Sequence, residues 1–458
     1  MLNKSIGKVT AKSSTLSQNL ESVTFNSIRK VLPDTTIRNA CNQAGYGYRK
    51  RIITPIITVL HMIIAAIWPE DSFTASWQLL WASFSANCQS KTGKSPSRGT
   101  VSNARKRLPL KVWEKITARL SEQGQTYSEN LDKWRDHRLV AVDGTCLTVP
   151  NSEELCDTFD LCKGDTGSKL YPLVRMVCVS IVETMVVIGY NVGGYRTDEN
   201  ALLKPMLKML RKVDLLLADR HYAGSNLYWN YMENGLEYLT RAHQRLKISR
   251  LKRLWSYSEN DFVALLKINE NYRRKNSEMP KFIRARFIQV EARIRGKYQP
   301  VWLVTSLLDN DYPADEIAEL YFKRWTIETL FGRFKVDLSA DILRSQSSVG
   351  IYKEIAAKVC TSNIISTIML EASIAQNVDT GRISFIHTIR AIIAFAPALA
   401  MRPIEQLPAI YEAMLREIAA HLVPSRPGRL EPRRLSHDPR NYPKLTTTRK
   451  LWRKQNAA

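Results

Sequence analysis

The chain has 458 residues, of which 44% are hydrophobic, so it can bury more than one core and is not an intrinsically disordered protein. Its net charge of +24 and its pI near 9.7 favour a polyanionic partner such as nucleic acid. Charge alone does not separate an enzyme from a packaging or regulatory protein. The seven cysteines form no C-x2-C pair, which argues against a disulfide framework and a zinc ribbon.

Residues 1–130 are predicted to be mostly helical and to form a separate N-terminal module. The first twenty residues are rich in Ser, Thr and Lys and lack the apolar segment of a signal peptide. The apolar run 52–68 is short for a membrane span and contains Pro55 and His61, so it predicts a buried helix. We therefore expect a cytoplasmic protein with no membrane partner.

A basic helix is predicted within residues 95–108, where Val101, Ala104 and Leu108 are apolar. Arg105 and Lys106 belong to its basic surface. The pattern is typical of a DNA-reading helix and equally of a solvated helix without a specific role.

From residue 137 onward the pattern changes to strands. Strands are predicted at 138–149, 174–184 and 185–193, then a helix at 198–212, then a strand that ends at Asp219. Three strands, a helix and another strand is the order of a ribonuclease H-like core. The predicted fold class is therefore α/β.

Two aspartates each follow an apolar run of the kind that forms a buried strand. Asp143 follows 139–142, and Asp219 follows 215–218. An unpaired buried carboxylate costs several kcal/mol or shifts its pKa, so such positions suggest a function. The alternative for each aspartate is that it caps the next turn.

About seventy residues separate the strand near 237–241 from the next predicted helix, which is too many for a plain loop. Alternating patterns at 282–292 and 298–305 predict strands, which we interpret as an inserted β-subdomain. Its basic residues would lie along DNA or form a merely solvated face, and they are Arg284, Arg286, Arg293 and Arg295.

Residues 321–335 read YFKRWTIETLFGRFK and predict one amphipathic helix. At roughly 100° per residue, four polar side chains would fall within an arc of about 60°. They are Tyr321, Arg324, Glu328 and Lys335. Such a face could clamp phosphates around one carboxylate, or could simply be solvated.

After Lys335 the chain returns to predicted helices, including an apolar stretch at 383–400 that should pack internally. The last 38 residues are rich in Lys, Arg and Pro, so they favour an extended segment that follows DNA. A tail with no assigned role is the alternative reading.

Taken together, Asp143, Asp219 and Glu328 predict a metal site. Three carboxylates in one site repel each other unless a hard divalent cation lies between them, and oxygen ligands suit Mg²⁺ or Mn²⁺. Two such ions about 4 Å apart can activate an attacking water or 3′-hydroxyl and stabilise the leaving oxygen. The predicted chemistry is phosphoryl transfer.

The chain resembles the DDE-type insertion-sequence transposases, specifically the insertion-sequence-four group, whose signature Y-x2-R-x3-E-x6-K it matches at every named position. Further likeness lies in AVDGTCLTVPN (141–151), in 171–184, in LLLADRHY (215–222) and in WLVTS (302–306). His221 departs from the expected smaller residue, and 155–169 is irregular. Neither departure involves the three acids.

The resemblance implies that Asp143, Asp219 and Glu328 are the metal-binding catalytic triad. It implies that Tyr321, Arg324 and Lys335 contact the backbone of transposon-end DNA. It also implies a tryptophan that stacks on a flipped base, with Trp302 as the first candidate and Trp325 as the second. Arg220, which follows the second aspartate, joins Arg105 and Lys106 as a further DNA-binding candidate.

The expected function is cut-and-paste transposition, in which a homodimer binds inverted-repeat ends, cleaves them through a hairpin intermediate and joins them to target DNA. No small-molecule substrate is expected. The expected organisation is an N-terminal DNA-binding domain (1–130), a catalytic core (131–240 and 311–370), an inserted β-subdomain (241–310) and a C-terminal helical region with a basic tail (371–458). The alternatives are a nuclease without strand transfer and a repressor derived from a transposase.

Overall fold

The computed structural model describes residues 26–424, with gaps at 50, 52, 69–72, 88–94, 130, 132, 164–168 and 295–296. The predicted basic tail, apart from its first residues 421–424, lies outside the described part of the chain. The central element is a large β-sheet that carries helices on both faces. The chain is therefore a mixed α/β protein.

The helices are named in chain order. Those before the sheet are α1 Asn26–Val31, α2 Asp34–Gln43, α3 Pro55–Ile67, α4 Phe73–Asn87, α5 Arg98–Arg107 and α6 Leu110–Ser128. Those between strands are α7 Glu153–Phe159, α8 Glu199–Leu203, α9 Ser225–Glu233 and α10 Glu270–Lys275. Those after the sheet are α11 Ala314–Lys323, α12 Thr326–Gly332, α13 Ser348–Gln376, α14 Phe385–Met401 and α15 Leu407–Ala420.

The strands are β1 Arg138–Thr148, β2 Leu161–Lys163, β3 Lys169–Ile181, β4 Val187–Gly194, β5 Asp214–Ala218, β6 Glu237–Arg241, β7 Lys252–Ser258, β8 Asp261–Lys267, β9 Phe282–Ile294 and β10 Lys297–Thr305. The spatial order across the sheet is β4-β3-β1-β5-β6-β10-β9-β8-β7, and β2 pairs with the start of β3. The pairs β1–β5 and β5–β6 are parallel. The other pairs are antiparallel.

Strands β1 and β5 are buried on both faces, as their continuous apolar runs predict. In β1, Leu139 and Ala141 join one buried cluster while Val140 and Val142 join the cluster on the opposite face. Alternate residues of β5 divide between the same two clusters. Asp143, within β1, and Asp219, directly after β5, therefore each follow residues that are buried on both faces of the sheet.

A buried ion pair fixes the alignment of β1 with β5. Arg138 and Asp214 are register partners, and the Nε of Arg138 donates to the Oδ1 of Asp214 at 2.6 Å. The Arg138 side chain is 6% exposed and the Asp214 side chain 0%. Because truncating one partner of such a pair would leave an uncompensated buried charge, a shifted register would be strongly disfavoured.

The helix predicted over 198–212 is shorter than expected. The α-helical part is α8, and Lys204–Met209 continues as a 3-10 helix with Pro205 in its first turn. Proline lacks a backbone N–H and clashes with the preceding helical turn, so the α-helical ladder cannot run on through it.

The segment predicted to form an inserted β-subdomain continues the central sheet, because β10 pairs antiparallel with β6 and is followed outward by β9, β8 and β7. The expectation that Arg286 faces DNA is wrong. Arg286 is fully buried and forms a double hydrogen bond with Asp261, at 2.7 and 2.6 Å. Arg284 is exposed as predicted, whereas Arg295 and the side chain of Arg293 lie outside the described residues.

The helical predictions on either side of the sheet are confirmed. All residues of α3 are buried, and α14 packs internally through residues such as Ile389 and Ile392. Helix α13 is long and apolar enough to cross a membrane by length and composition alone, but 94% of that apolar window is buried inside the protein. It packs against α3, α6 and α15 and so acts as the central helix of the fold.

Candidate active site

The two predicted aspartates come from neighbouring parallel strands. Asp143 lies within β1, and Asp219 directly follows β5. The β1–β5 pairing runs from Arg138 and Asp214 to Ala141 and Leu217, so the two aspartates lie just beyond its end, where the charge of Asp219 acts on Asp143. Each aspartate also accepts a nearby backbone hydrogen bond: Asp143 from Gly144 N–H at 2.8 Å, and Asp219 from His221 N–H at 2.7 Å.

Burial raises the pKa of Asp143 to about 6, and the nearby charge of Asp219 adds to the rise. The hydrogen bond from Gly144 and the charge of Arg324 act in the opposite direction. A carboxyl group in this position holds its proton more tightly than one in water. A cation placed here would therefore have a large favourable effect on its ionised form.

The third acid comes from a helix that is interrupted, so the prediction of one continuous helix over 321–335 is wrong. Helix α11 ends at Lys323 and α12 begins at Thr326, and the N–H groups of Arg324 and Trp325 bond back only three residues. Such 3-10 bonds tighten the turn. A π-helical turn over Arg333–Asp337 follows directly after Gly332.

The four signature side chains differ in how far they are exposed to solvent. Tyr321 is 6% exposed and Arg324 is 7% exposed. The side chain of Glu328 is 39% exposed, and Lys335 is half-buried. The predicted core residues of this segment are nonetheless buried, namely Ile327, Phe331 and Phe334.

Arg324 connects the helix to the sheet. One terminal nitrogen lies 3.7 Å from the Oδ2 of Asp143, and the other donates to the Oε1 of Glu328 at 3.2 Å. Its Nε is buried and has no hydrogen-bond partner among the described residues. Burial lowers the pKa of Arg324, but the neighbouring Tyr321, Asp143 and Glu328 reverse this, so the net direction is upward.

The remaining signature residues lie around the same edge. Burial raises the pKa of Tyr321, whose ring interacts with the charges of Arg324 and Asp219. Lys335 lies close enough to Cys146, on β1, to affect the electrostatics of that thiol. The carboxylates therefore have three further groups near them: the buried phenol of Tyr321, the buried guanidinium of Arg324 and the ammonium group of Lys335.

The two tryptophans occupy different environments. Trp302, on β10, is half-buried and packs edge-on against Phe262, with ring centroids 5.6 Å apart. Trp325 is 55% exposed, and the guanidinium of Arg324 lies 5.5 Å from its ring centre. Arg220 is exposed and donates to Gln244 at 3.3 Å.

Arg105 and Lys106, at the end of α5, lie away from the signature residues in sequence and line a separate cavity of about 480 Å³. Arg344 and Lys353 line the same cavity. Lys106 is exposed, whereas the Arg105 guanidinium lies 3.6 Å above the Phe73 ring. This cavity presents four basic side chains and is lined by none of the described carboxylates.

The three acids are near one another without forming a closed cage. Within residues 26–424 and outside the gaps, no group of three or more His, Cys, Asp or Glu side chains is close enough to hold a metal ion. The guanidinium of Arg324 instead reaches both Asp143 and Glu328. The oxygen-only donor set and the raised pKa of Asp143 fit a hard divalent cation.

Sequence reasoning missed a fourth carboxylate beside the aspartates. Glu199, the first residue of α8, accepts a hydrogen bond from Arg175 at 2.7 Å and another from the Tyr222 hydroxyl at 2.9 Å. Its charge contributes to the raised pKa of Asp143. No spacing rule in the sequence links Glu199 to the signature, because only folding brings α8 against Gly144 of β1.

Two comparisons with known proteins bear on this site. A family model described as "Transposase DDE domain" matches residues 134–364, slightly more than half of the chain. The Escherichia coli (strain K12) protein "Transposase InsG for insertion sequence element IS4" is 21% identical over 349 residues. That alignment covers 75% of this chain and 77% of the relative.

Proposed function

The chain belongs to the transposase DDE domain family, in the insertion-sequence-four group, and we propose that it catalyses cut-and-paste transposition by metal-dependent phosphoryl transfer. The observation that carries this proposal is the contact of one buried arginine, Arg324, with both Asp143 and Glu328, while Asp219 is aligned beside Asp143. Residues more than 180 positions apart thus meet at one edge of the sheet.

The strand arrangement supports a ribonuclease H-like core. Strands β4, β3, β1, β5 and β6 follow one another across the sheet, with β3 antiparallel to β1 and with β5 and β6 parallel to it. Strands β7–β10 would then be the inserted β-subdomain, built onto the β6 edge. The helical regions 1–130 and 371–458 would flank this core.

Asp143, Asp219 and Glu328 would hold two Mg²⁺ or Mn²⁺ ions. The Oδ1 of each aspartate accepts a backbone hydrogen bond, from Gly144 or from His221. The Oδ2 of each would be the oxygen that binds a metal ion. When bound, the ions supply activation of the attacking oxygen and stabilisation of the leaving oxygen in an in-line displacement. The Glu328 side chain is 39% exposed and that of Asp143 is 22% exposed, and Glu328 would approach the aspartates by a side-chain rotation.

Tyr321, Arg324 and Lys335 would hold the DNA backbone beside the scissile bond. A guanidinium with an unpartnered buried Nε has a donor to offer to a phosphate oxygen. Lys335 would add a point charge next to β1. Arg220, on the exposed turn after Asp219, would contact the backbone on the other side of the site.

A flipped base would need an accessible aromatic face. The exposure of Trp325 favours it over Trp302, whose ring already packs against Phe262. Base stacking on an aromatic side chain contributes about 1–3 kcal/mol. Trp325 also lies directly beside Arg324, so a base stacked there would adjoin the phosphate contact.

The basic cavity at the end of α5 would form a second DNA contact. Arg105, Lys106, Arg344 and Lys353 surround it, and the Nε of Arg105 is buried without a hydrogen-bond partner among the described residues. A buried guanidinium nitrogen without an acceptor, as at Arg105, together with the positive charge of the cavity favours an anion such as a backbone phosphate. This contact would anchor inverted-repeat DNA away from the acids.

The reaction would proceed in four displacements on DNA. Water would attack a phosphorus atom at the transposon end and break the P–O3′ bond, and the freed 3′-hydroxyl would attack the opposite strand, which forms a hairpin and releases the flanking DNA. A second water would hydrolyse the hairpin, and the regenerated 3′-hydroxyl would attack a target phosphodiester and displace the 3′-oxygen of the target strand. A homodimer on the DNA would hold the two ends together. The protein's own residues would orient the phosphates throughout.

The decisive experiment is a nicking and strand-transfer assay with Mg²⁺ on DNA that carries the insertion-sequence ends. The wild type should nick the ends and join precut ends to a target. Asp143→Asn should abolish both activities and retain DNA binding. Cleavage without joining of precut ends would instead indicate a nuclease, and binding without any cleavage would indicate a repressor.

A further inference from the structure

Glu199 makes contacts with the segments that follow both aspartates. Its Oε1 accepts a hydrogen bond from Arg175, which lies on β3 opposite Cys146 of β1. Its Oε2 accepts a hydrogen bond from the hydroxyl of Tyr222. The Glu199 side chain is 18% exposed and that of Arg175 is 21% exposed, so the ion pair is largely shielded from water.

On the Asp143 side, the Glu199 carboxylate packs directly against Gly144. A Cβ atom on residue 144 would lie 2.3 Å from the Oε2 of Glu199, far inside any permitted contact. Gly144 does not adopt a positive φ, so what its missing side chain provides is room for the Glu199 carboxylate, and any Cβ at this position would displace that carboxylate. Gly144 also donates the backbone hydrogen bond that orients Asp143.

On the Asp219 side, the partner of Glu199 is the residue that closes the aspartate's own turn. Asp219 caps the 3-10 turn Arg220–Tyr222, and Tyr222 N–H donates to the Asp219 carbonyl at 3.2 Å. The Tyr222 side chain is fully buried, and its carbonyl accepts a hydrogen bond from Tyr231 at 3.1 Å. The hydroxyl of Tyr222 thus transmits the position of Glu199 to the turn that aims Asp219.

We propose that Glu199 is a positioning residue that fixes the separation of the Asp143 and Asp219 carboxylates. One oxygen constrains the turn after Asp219 through Tyr222, the packing against Gly144 constrains the β1 backbone next to Asp143, and Arg175 anchors the carboxylate to β3. Glu199 does not touch the reacting groups. This inference rests on the proposed function, because the separation matters only if the aspartates share a cation.

The test measures Mn²⁺ binding to the full chain by electron paramagnetic resonance, without DNA and without turnover. Glu199→Ala should weaken Mn²⁺ binding about tenfold, the lower end of the effect of residues that orient metal ligands. Tyr222→Phe, which removes only the hydroxyl, should weaken it by a smaller factor in the same direction. Both variants should bind a DNA duplex as the wild type does.

A carboxylate paired with an arginine on the protein surface, away from the aspartates, provides the control. Glu316 on α11 pairs with Arg135 at 2.8 Å and contacts neither aspartate turn. Glu316→Gln should leave Mn²⁺ affinity unchanged. If Glu199→Ala lowers thermal stability but binds Mn²⁺ like the wild type, Glu199 is only structural and the inference is overturned.

Tyr222→Phe keeps the inference testable if Glu199→Ala does not fold, because the phenylalanine ring preserves the packing. Wild-type affinity for Mn²⁺ in Tyr222→Phe would also overturn the inference. A different result marks failure of the proposed function itself: the wild type and Asp143→Asn would then show equal Mn²⁺ binding. The two failures are therefore distinguishable.

Discussion

Two buried arginines in this protein, Arg286 in the β7–β10 extension and Arg324 at the carboxylate edge, differ in how completely their donors are used. Arg286 directs two nitrogens to Asp261 and the third to the carbonyls of Asp309 and Tyr312, at 2.6 and 2.8 Å. Arg324 makes longer contacts of 3.2 and 3.7 Å, and its Nε has no partner among the described residues.

Burial alone therefore does not show whether a charged side chain is structural or can still bind a ligand. A buried ion pair whose donors are all satisfied holds the structure together and has nothing left for a ligand. A buried guanidinium with an unused donor, beside a half-exposed Glu328, retains hydrogen-bonding capacity for a phosphate. The same residue type thus serves as structure in one region and as a candidate DNA contact in the other.

The largest expected effect concerns stability. Arg286→Met should lower the free energy of unfolding by about 3–5 kcal/mol, because it leaves the nearly buried Asp261 without a partner. Denaturant unfolding measures this. The double variant Arg286→Met with Asp261→Leu should recover much of the loss, since an apolar pair of similar volume can replace a buried ion pair.

Arg324→Met is the matched substitution in the other region, and its main effect should be on chemistry. We expect cleavage of end DNA to slow by about 10²–10³-fold, the cost of removing one donor that stabilises charge in the transition state. Its stability should change much less than that of Arg286→Met, because Glu328 is 39% exposed and water can solvate it. A large loss of stability with normal cleavage would remove the distinction between the two arginines.

The acidic half of the site can be tested through pH. Burial raises the pKa of Asp143 to about 6 from an ordinary value of 3.8, so the folded protein binds this proton more tightly than the unfolded chain. Ionisation of Asp143 therefore opposes folding. That penalty is absent below about pH 4, grows as the pH rises and is complete above about pH 6.

Asp143→Asn removes this penalty, so the variant should be more stable than the wild type at pH 8 in the presence of a chelator. Its advantage should be smaller at pH 4.5, by on the order of 1–2 kcal/mol. Thermal unfolding at the two pH values measures the difference. Asp311→Asn, at an exposed position, is the control, and an Asp143→Asn advantage that does not vary with pH would contradict the expectation.

The sequence was sufficient to predict the local features of the site. The apolar runs before Asp143 and Asp219 predicted two buried strand segments, each followed by a carboxylate, and the signature spacing identified the family, which the comparisons confirm. Both inferences depend only on residues that are neighbours in the chain. The burial of Ile327 likewise follows from periodicity within one helix.

Long-range partners could not be predicted in the same way. Arg286 reads as a basic residue on an alternating strand, and only the pairing of β8 with β9 shows that Asp261 neutralises it. The burial of Arg324 depends on a tight turn that helical periodicity does not contain. Glu199 contacts the residues that follow the two aspartates only when β3, α8 and β5 have packed together.

The smallest expected effect concerns the basic cavity at the end of α5, where Arg105 resembles Arg324 in having a buried Nε without a partner among the described residues. If that feature marks a phosphate contact here too, Arg105→Gln should weaken binding to a random-sequence duplex by only a few-fold. It should also reduce the slope of log affinity against log salt by about one, the loss of a single phosphate contact. Cleavage per bound complex should be unchanged, because the acids lie elsewhere.

Lys115→Gln, at an exposed position on α6, is the charge-matched control for Arg105→Gln, since both remove one positive charge from the N-terminal helices. Loss of one positive charge should weaken long-range attraction to DNA similarly in the two variants. The slope of log affinity against log salt should therefore be smaller for Arg105→Gln than for Lys115→Gln only if Arg105 contacts a phosphate directly. Equal slopes would mean that the unpartnered Nε of Arg105 does not indicate a DNA contact. An unpartnered guanidinium nitrogen would then mark a DNA contact at Arg324 but not at the N-terminal cavity. Arg105 already stacks on Phe73, and that packing would be its whole role.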